Sequence, residues 1–223
     1  MSFGVKLKVW GDHACFTRPE MKIERVSYDV MTPSAARGML EAIYWKPAIL
    51  WVVDAIHVLN PIHFTSIRRN EVGTKIPVGR VKSAMTRGDT NGLGLAVDEN
   101  RQQRAATVLV KPAYVIEAHF ELKANAGEDD TAAKHIAMFN RRGAKGQCFH
   151  RPYLGTREFA AHFELVEGVL PDSTLPADQR NRDLGWMLHD IDHANDQRPY
   201  FFRAALVDGV MAVPPLGSGE VVA

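Results

Sequence analysis

Ala113-Tyr114-Val115-Ile116-Glu117-Ala118-His119-Phe120-Glu121-Leu122 is the run from which the fold is read. Tyr114, Ile116, Ala118, Phe120 and Leu122 fall on one side of it, and Glu117, His119, Glu121 and the following Lys123 on the other. Side chains alternate across a strand, so this is a β-strand with one face for the core and one polar face. The same period marks residues 3–10, where Phe3, Val5, Leu7 and Val9 oppose Lys6 and Lys8. Residues 48–59 are apolar and rich in β-branched side chains, which suits a central strand, and beyond Pro61 residues 62–69 read as its antiparallel partner. Shorter strands are expected at 24–30 and 159–166.

Two helices fall between these strands. Thr32-Pro33 supplies a capping hydroxyl and a proline at the first turn, and Ala35, Ala36, Met39, Leu40 and Ile43 form an apolar stripe as far as Tyr44. Pro47 stops that helix, because the residue before a proline disfavours helical geometry. The second helix runs over 131–142, with acids before it and arginines at its end to complement the dipole, and Gly143 ends it. The order strand, helix, strand, strand, helix, strand within 1–166 predicts an α+β chain whose main domain is ferredoxin-like, the RRM-like split βαβ arrangement.

Residues 167–223 form a small β-rich C-terminal subdomain in this reading. It holds a short helix or strand-plus-turn at 181–193, and a hairpin of 199–206 with 210–213 around Asp208-Gly209, a pair that favours a tight primed turn. Residues 70–104 have weak periodicity and read as a long mobile inserted loop or a hairpin, a length of loop that is often functional.

At 46% hydrophobic and 24% charged residues the chain is an ordinary globular protein, and its net charge of +1 is unevenly spread. Residues 68–104 carry eight Lys/Arg against four Asp/Glu, while acids gather at Glu128-Asp129-Asp130 and over 183–196. The two cysteines, Cys15 and Cys148, form no CxxC pair, so neither a thiolate metal site nor a disulfide framework is expected, and both are read as buried free thiols. No signal peptide or membrane-length apolar run is present, and a cytoplasmic protein is expected.

The most distinctive loop is Arg141-Arg142-Gly143-Ala144-Lys145-Gly146-Gln147-Cys148-Phe149-His150-Arg151-Pro152-Tyr153-Leu154-Gly155-Thr156-Arg157. Arg141, Arg142, Lys145, Arg151 and Arg157 match phosphates, while Phe149, His150 and Tyr153 offer flat rings to unstacked bases. These eight residues are the candidate RNA-binding set.

Several blocks together carry a family resemblance: residues 3–12 (Phe-Gly-Val-Lys-Leu-Lys-Val-Trp-Gly-Asp), Glu41-Ala42-Ile43-Tyr44-Trp45-Lys46-Pro47, Tyr114-Val115-Ile116-Glu117-Ala118-His119-Phe120, and the run from Gln147 through Phe159. The chain resembles the CRISPR-associated RAMP-superfamily proteins of the type I-C (Dvulg) subtype over essentially its whole length. That resemblance implies a metal-independent endoribonuclease, without cofactor, that cuts CRISPR precursor RNA within each repeat. It also implies that the protein stays with the crRNA 5′ handle among the other subunits of the type I-C Cascade. Its catalytic tyrosine and histidine carry over to Tyr44 and His119. The family's lysine does not, because Glu117 and Ala118 stand where it is expected. Lys123 shares the strand face with His119, roughly 13 Å along by strand rise, and Lys46 and Lys111 are the other substitutes.

Metal-free cleavage needs a group to take the 2′-hydroxyl proton and a cation to offset charge on the phosphorane; histidine titrates closest to neutrality and suits the first task. Two other readings stay open: a non-catalytic RNA-binding subunit of the same complex, and a general nucleic-acid binder, DNA included, with metal-dependent DNase activity. His189 and His193 share a helix face if 181–193 is helical, but no HExxH glutamate or third ligand accompanies them, and no metal site is assigned.

Overall fold

The computed structural model describes residues 4–193 and 196–223, so Phe3 lies outside the described residues. In chain order the elements are β1 (Val5–Trp10), β2 (His13–Ala14), β3 (Arg25–Val26), α1 (Pro33–Ile43), β4 (Ile49–Val58), β5 (Phe64–Val72), α2 (Val78–Arg87), β6 (Arg101–Val110) and β7 (Ala113–Leu122). There follow α3 (Ala132–Ala144), β8 (His162–Leu165), α4 (Ala177–Arg180), β9 (Arg182–Asp192), β10 (Arg198–Leu206), β11 (Val210–Ala212) and β12 (Val221–Val222). The chain is a mixed α/β protein with three sheets among its described residues. It divides into two compact units, Met1–Thr65 with Thr107–Ala223, and Ser66–Ala106.

The larger unit is built on a five-stranded sheet in the order β11-β4-β7-β1-β8, antiparallel at every pairing. In β1, Val5, Leu7 and Val9 are buried while Lys6, Lys8 and Trp10 stay on the other face, as the sequence period requires. Helices α1 and α3 cover one face. The Thr32 hydroxyl accepts from the Ala35 N–H and the Thr131 hydroxyl from the Lys134 N–H, so each helix starts on a side-chain cap. Met39, Leu40 and Ile43 of α1 pack with Leu7, Ile56 and Ile116 of the sheet, and Phe139 of α3 lies 4.8 Å from the Trp51 ring. Each such fully buried apolar side chain stabilises the fold by about 1.5–3 kcal/mol.

Several expectations need correction. Residues 62–69 do not pair with the 48–59 strand: β7 and β11 occupy both edges of β4, and β5 pairs with β6. The 24–30 strand shrinks to the two residues of β3. Lys111, at φ +46°, and Pro112 separate β7 from a preceding strand, β6. Within the smaller unit, the inserted loop holds a helix, α2, whose one buried residue, Ala84, leaves almost no apolar period to read.

Of the two readings of 181–193 the strand-plus-turn holds and the helix does not: β9 pairs along its length with β10 in a three-stranded sheet, β12-β10-β9, and His193 turns after it. The Asp208-Gly209 turn is present, with both residues at positive φ and reciprocal Val207–Val210 backbone bonds, as a primed turn requires. Its two arms part company, however: β11 joins the five-stranded sheet beside β4, with Val210 opposite His57.

Candidate active site and nucleic-acid interface

His119 lies on the sheet face away from the helices, between buried neighbours Ala118 and Phe120 that face the core. Opposite it on β4 the register slips between Val53 and Ala55, so Asp54 is an extra, unpaired residue. That bulge turns the Asp54 carboxylate toward His119, with Nδ1 2.8 Å from one oxygen and 2.9 Å from the other. An ionised carboxylate only accepts, so Nδ1 carries a proton, and in the neutral ring Nε2 then holds the lone pair. The His119 side chain is 34% exposed, enough for Nε2 to meet a ligand.

Two strand positions away, Glu117 accepts from Lys6 at 2.8 Å and lies 3.2 Å from His57 Nε2. Burial opposes its charge, but the Lys6 hydrogen bond and the charges of His57 and Lys6 outweigh that and hold the carboxyl below the usual range. On the same face Lys8 pairs with Glu164 and lies over the Trp10 ring, which stacks on His162. Lys123 follows β7 and is exposed, its backbone N–H bonded to the Ala48 carbonyl. Lys46 and Lys111 are also exposed, Lys111 in the turn at the far end of β7.

Tyr44 sits elsewhere. It is the C-cap of α1 and only 1% exposed, with its hydroxyl 2.8 Å from His135 Nδ1. The opposite nitrogen of His135 lies 3.3 Å from Asp130, within ion-pair reach but without hydrogen-bond alignment. Burial pushes the Tyr44 phenol up; nearby Arg142 acts to lower it and Asp130 to raise it further. The ring of His135 also meets Phe120, whose side chain points opposite to that of His119. Tyr44 and His119 therefore stand on opposite faces of the sheet and are not brought together.

In the basic loop, α3 runs two residues further than the sequence suggests, through Gly143 to Ala144. Arg142 is not free for phosphate: its guanidinium donates to the Ile43 carbonyl at 2.8 Å and lies over the Tyr44 ring. Arg141, Lys145, Arg151 and Arg157 are exposed, with no acid partner among the described residues. Phe149 is 85% exposed, standing edge-on to His150, while its backbone N–H is anchored 2.7 Å from the Ala42 carbonyl. Tyr153 is half-buried between Pro152 and Leu154, both buried. Gly155, at φ +85°, packs so tightly on the Cys15 carbonyl that a β-carbon would lie 2.0 Å from its oxygen.

The smaller unit adds its own basic face. Arg80, Ser83 and Arg87 lie on one side of α2 and, with the Asn91-Gly92-Leu93 turn, line a cleft of about 370 Å³. Two of the unit's acids are occupied, Asp98 by Arg101 and Glu71 by Arg104.

The remaining candidates resolve simply. His189 lies on strand β9 with Nε2 2.8 Å from the Pro214 carbonyl, and His193 is exposed beyond that strand, so the two share no helix face. Among the described residues no three His, Cys, Asp or Glu side chains gather as a metal cluster. Cys15 is buried, but Cys148 is exposed in the basic loop rather than buried. No described helix is long and apolar enough to cross a membrane. Sequence reasoning missed Asp54, His135 and Asp130; Asp54, a charge inside an apolar strand, was the one legible signal.

The family model described as CRISPR-associated protein (Cas_Cas5), of the Cas5d group, matches residues 4–214. The CRISPR pre-crRNA endoribonuclease Cas5d of Mannheimia succiniciproducens is 57% identical over 223 residues, spanning 99% of each chain. The protein of the same name from Thermus thermophilus is 40% identical over 229 positions, spanning 94% of this chain and 91% of its own. Two solved structures share the fold. One is described as a CRISPR-associated protein (TM-score 0.67, 23% identity, 99% of this chain and 96% of that one). The other is SMU1763c from Streptococcus mutans, described as functionally uncharacterized (TM-score 0.68, 21% identity, 99% and 97%). Sequence blocks, whole-length identity and fold agree, and the chain belongs to the Cas5d family of CRISPR-associated proteins.

Proposed function

We propose that this chain is an endoribonuclease that cuts CRISPR precursor RNA within the repeat, without a metal, and then stays bound to the guide 5′ handle as a subunit of a type I-C surveillance complex. The observation that carries the reading is 57% identity across the whole chain to a protein named for that activity. The element order β1-α1-β4-β7-α3-β8 and the sheet order β4-β7-β1-β8 support a split βαβ, ferredoxin-like main domain. The separate sheet β12-β10-β9 supports a small β-rich C-terminal part.

His119 is the proton-transfer group. Its Nε2 takes the proton of a ribose 2′-hydroxyl, the 2′ oxygen bonds to the adjacent phosphorus, and the bond to the 5′ oxygen breaks as that oxygen takes a proton from solvent water. The products are a 2′,3′-cyclic phosphate and a 5′-hydroxyl. Asp54 holds the imidazole in the tautomer this requires and offsets its charge once protonated. Lys123, on the same face, is the cation proposed to meet the charge on the phosphorane. Tyr44 acts by position: through His135 it holds the first turn of α3, and through Arg142 its end and the start of the basic loop.

The second reading, an RNA-holding subunit that does not cut, draws support from the separation of Tyr44 and His119 across the sheet. Incubating the purified protein with its cognate repeat RNA in EDTA separates the two. One cut per repeat leaving a 2′,3′-cyclic phosphate is expected; binding without a cut would leave the passive holder, and cuts only with added metal would favour the DNase-like reading.

A further inference from the structure

Helix α1 carries a glycine in its interior, Gly38, where a β-carbon would meet no atom within 4 Å. Glycine there destabilises a helix relative to alanine, and no neighbour crowds it. Space for a side chain is available and left unused. Gly38 lies in the floor of a pocket of about 270 Å³, together with Ser34 and Ala42, one helical turn to either side. One wall is Thr17; the other is Tyr153, part of the basic loop.

The chemistry of this pocket suits a nucleobase. Its volume lies just below the ~300–1,000 Å³ of drug-sized ligand sites, right for a single planar ring system. Thr17 and Ser34 bring hydroxyls that can both donate and accept, and Tyr153 brings an aromatic face. The wall that holds Tyr153 is bracketed in the chain by Arg151 and Arg157, both exposed and without acid partners among the described residues. An unpaired base between two phosphates needs that alternation of cation, ring and cation.

We propose that this pocket receives one unstacked base of the bound RNA, with Arg151 and Arg157 on the flanking phosphates, and that Gly38 is kept to leave it room. The inference rests on the RNA-binding reading above and adds to it a site for one particular nucleotide.

The test is Gly38→Leu, which puts a strong helix former into the pocket floor. Its thermal midpoint should equal or exceed that of the parent protein, its affinity for the repeat RNA should fall about tenfold, and the salt dependence of binding should keep its slope, because phosphate contacts remain. Repeat RNAs with one abasic nucleotide each then locate the base. At one position removing the base should weaken the parent protein about tenfold and leave Gly38→Leu unchanged, a coupling that only a shared contact produces. Ser34→Leu, one turn away in the same floor, should show the same coupling at the same position. Unchanged affinity of Gly38→Leu, or equal abasic losses in parent and variants, would overturn the pocket, including the case in which it admits a free nucleotide or a protein side chain instead. Failure of the parent protein to bind repeat RNA at all would instead remove the function proposed above.

Discussion

His119 Nδ1 is shared between the two oxygens of Asp54, at 2.8 and 2.9 Å, and the bond exists because a bulge in β4 leaves Asp54 outside the ladder. If this pair moves the proton, His119→Ala lowers single-turnover cleavage by about 10²–10⁴-fold, the usual range for general acid–base catalysis. Asp54→Asn keeps the shape but loosens the tautomer, and its loss should be smaller. RNA affinity should stay within about twofold for both. An unchanged rate for His119→Ala would remove this residue from the reaction.

Tyr44→Phe keeps the buried ring and strands His135 Nδ1, so it should cost about 1–3 kcal/mol, the penalty of an unpaired buried polar group. Measured by denaturant titration, that loss should far exceed its effect on the cleavage rate of folded protein. Loss of cleavage at full stability would put the phenol at the reacting phosphate.

The Glu117 carboxyl titrates below its ordinary value, so its pairing with Lys6 and His57 stabilises the protein above that ordinary value and is lost as pH falls through the lowered one. Glu117→Gln should therefore lower the melting temperature near neutral pH, by the equivalent of about 1 kcal/mol or less for a half-exposed pair. The gap to the parent should close progressively below about pH 4. A gap constant from pH 7 to pH 3 would show that packing, not charge, ties Glu117 in place.

The cleft on α2 offers Arg80 and Arg87 to a polyanion. Replacing both by alanine should flatten the plot of log affinity against log salt by about 1.4, two contacts at ~0.7 each for single strands. The cut position should stay the same, since neither residue belongs to the larger unit. An unaltered slope would leave the smaller unit without a role in RNA binding.

Gly155 cannot take a side chain, both because of its positive φ and because the Cys15 carbonyl occupies the place of a β-carbon. Gly155→Ala should destabilise by more than about 1 kcal/mol, since alanine is disfavoured at such φ. Arg151 and Arg157 should then become sensitive to protease before the rest of the chain, as limited trypsin digestion would show.

What was legible in the sequence was local. The Thr32-Pro33 start of α1, the alternation of β7 and the Asp208-Gly209 turn each depend on residues within one turn or strand, and each stands where expected except that Leu122, at the end of β7, is exposed. Pairings across the chain were not legible. Whether β5 lies beside β4 or β6 depends on which edges remain open once β7 and β11 have docked, a property of no single stretch. The site divides in the same way. His119 on a polar strand face could be read, whereas its partner Asp54 comes into reach only through a bulge, and Arg142, one more loop cation by composition, is spent on Ile43 and Tyr44.

The crossing of residues 210–213 onto β4 has a temporal consequence. Val213 donates its N–H to the backbone carbonyl of Asp54 at 3.0 Å, so a segment far downstream in the chain clasps the very bulge that aims the His119 imidazole. During translation β4 waits with a bare rim for about 150 residues, open to pairing with a neighbouring nascent chain. Until residues 210–213 dock, the bulge lacks that bond and β4 keeps a pairing edge open.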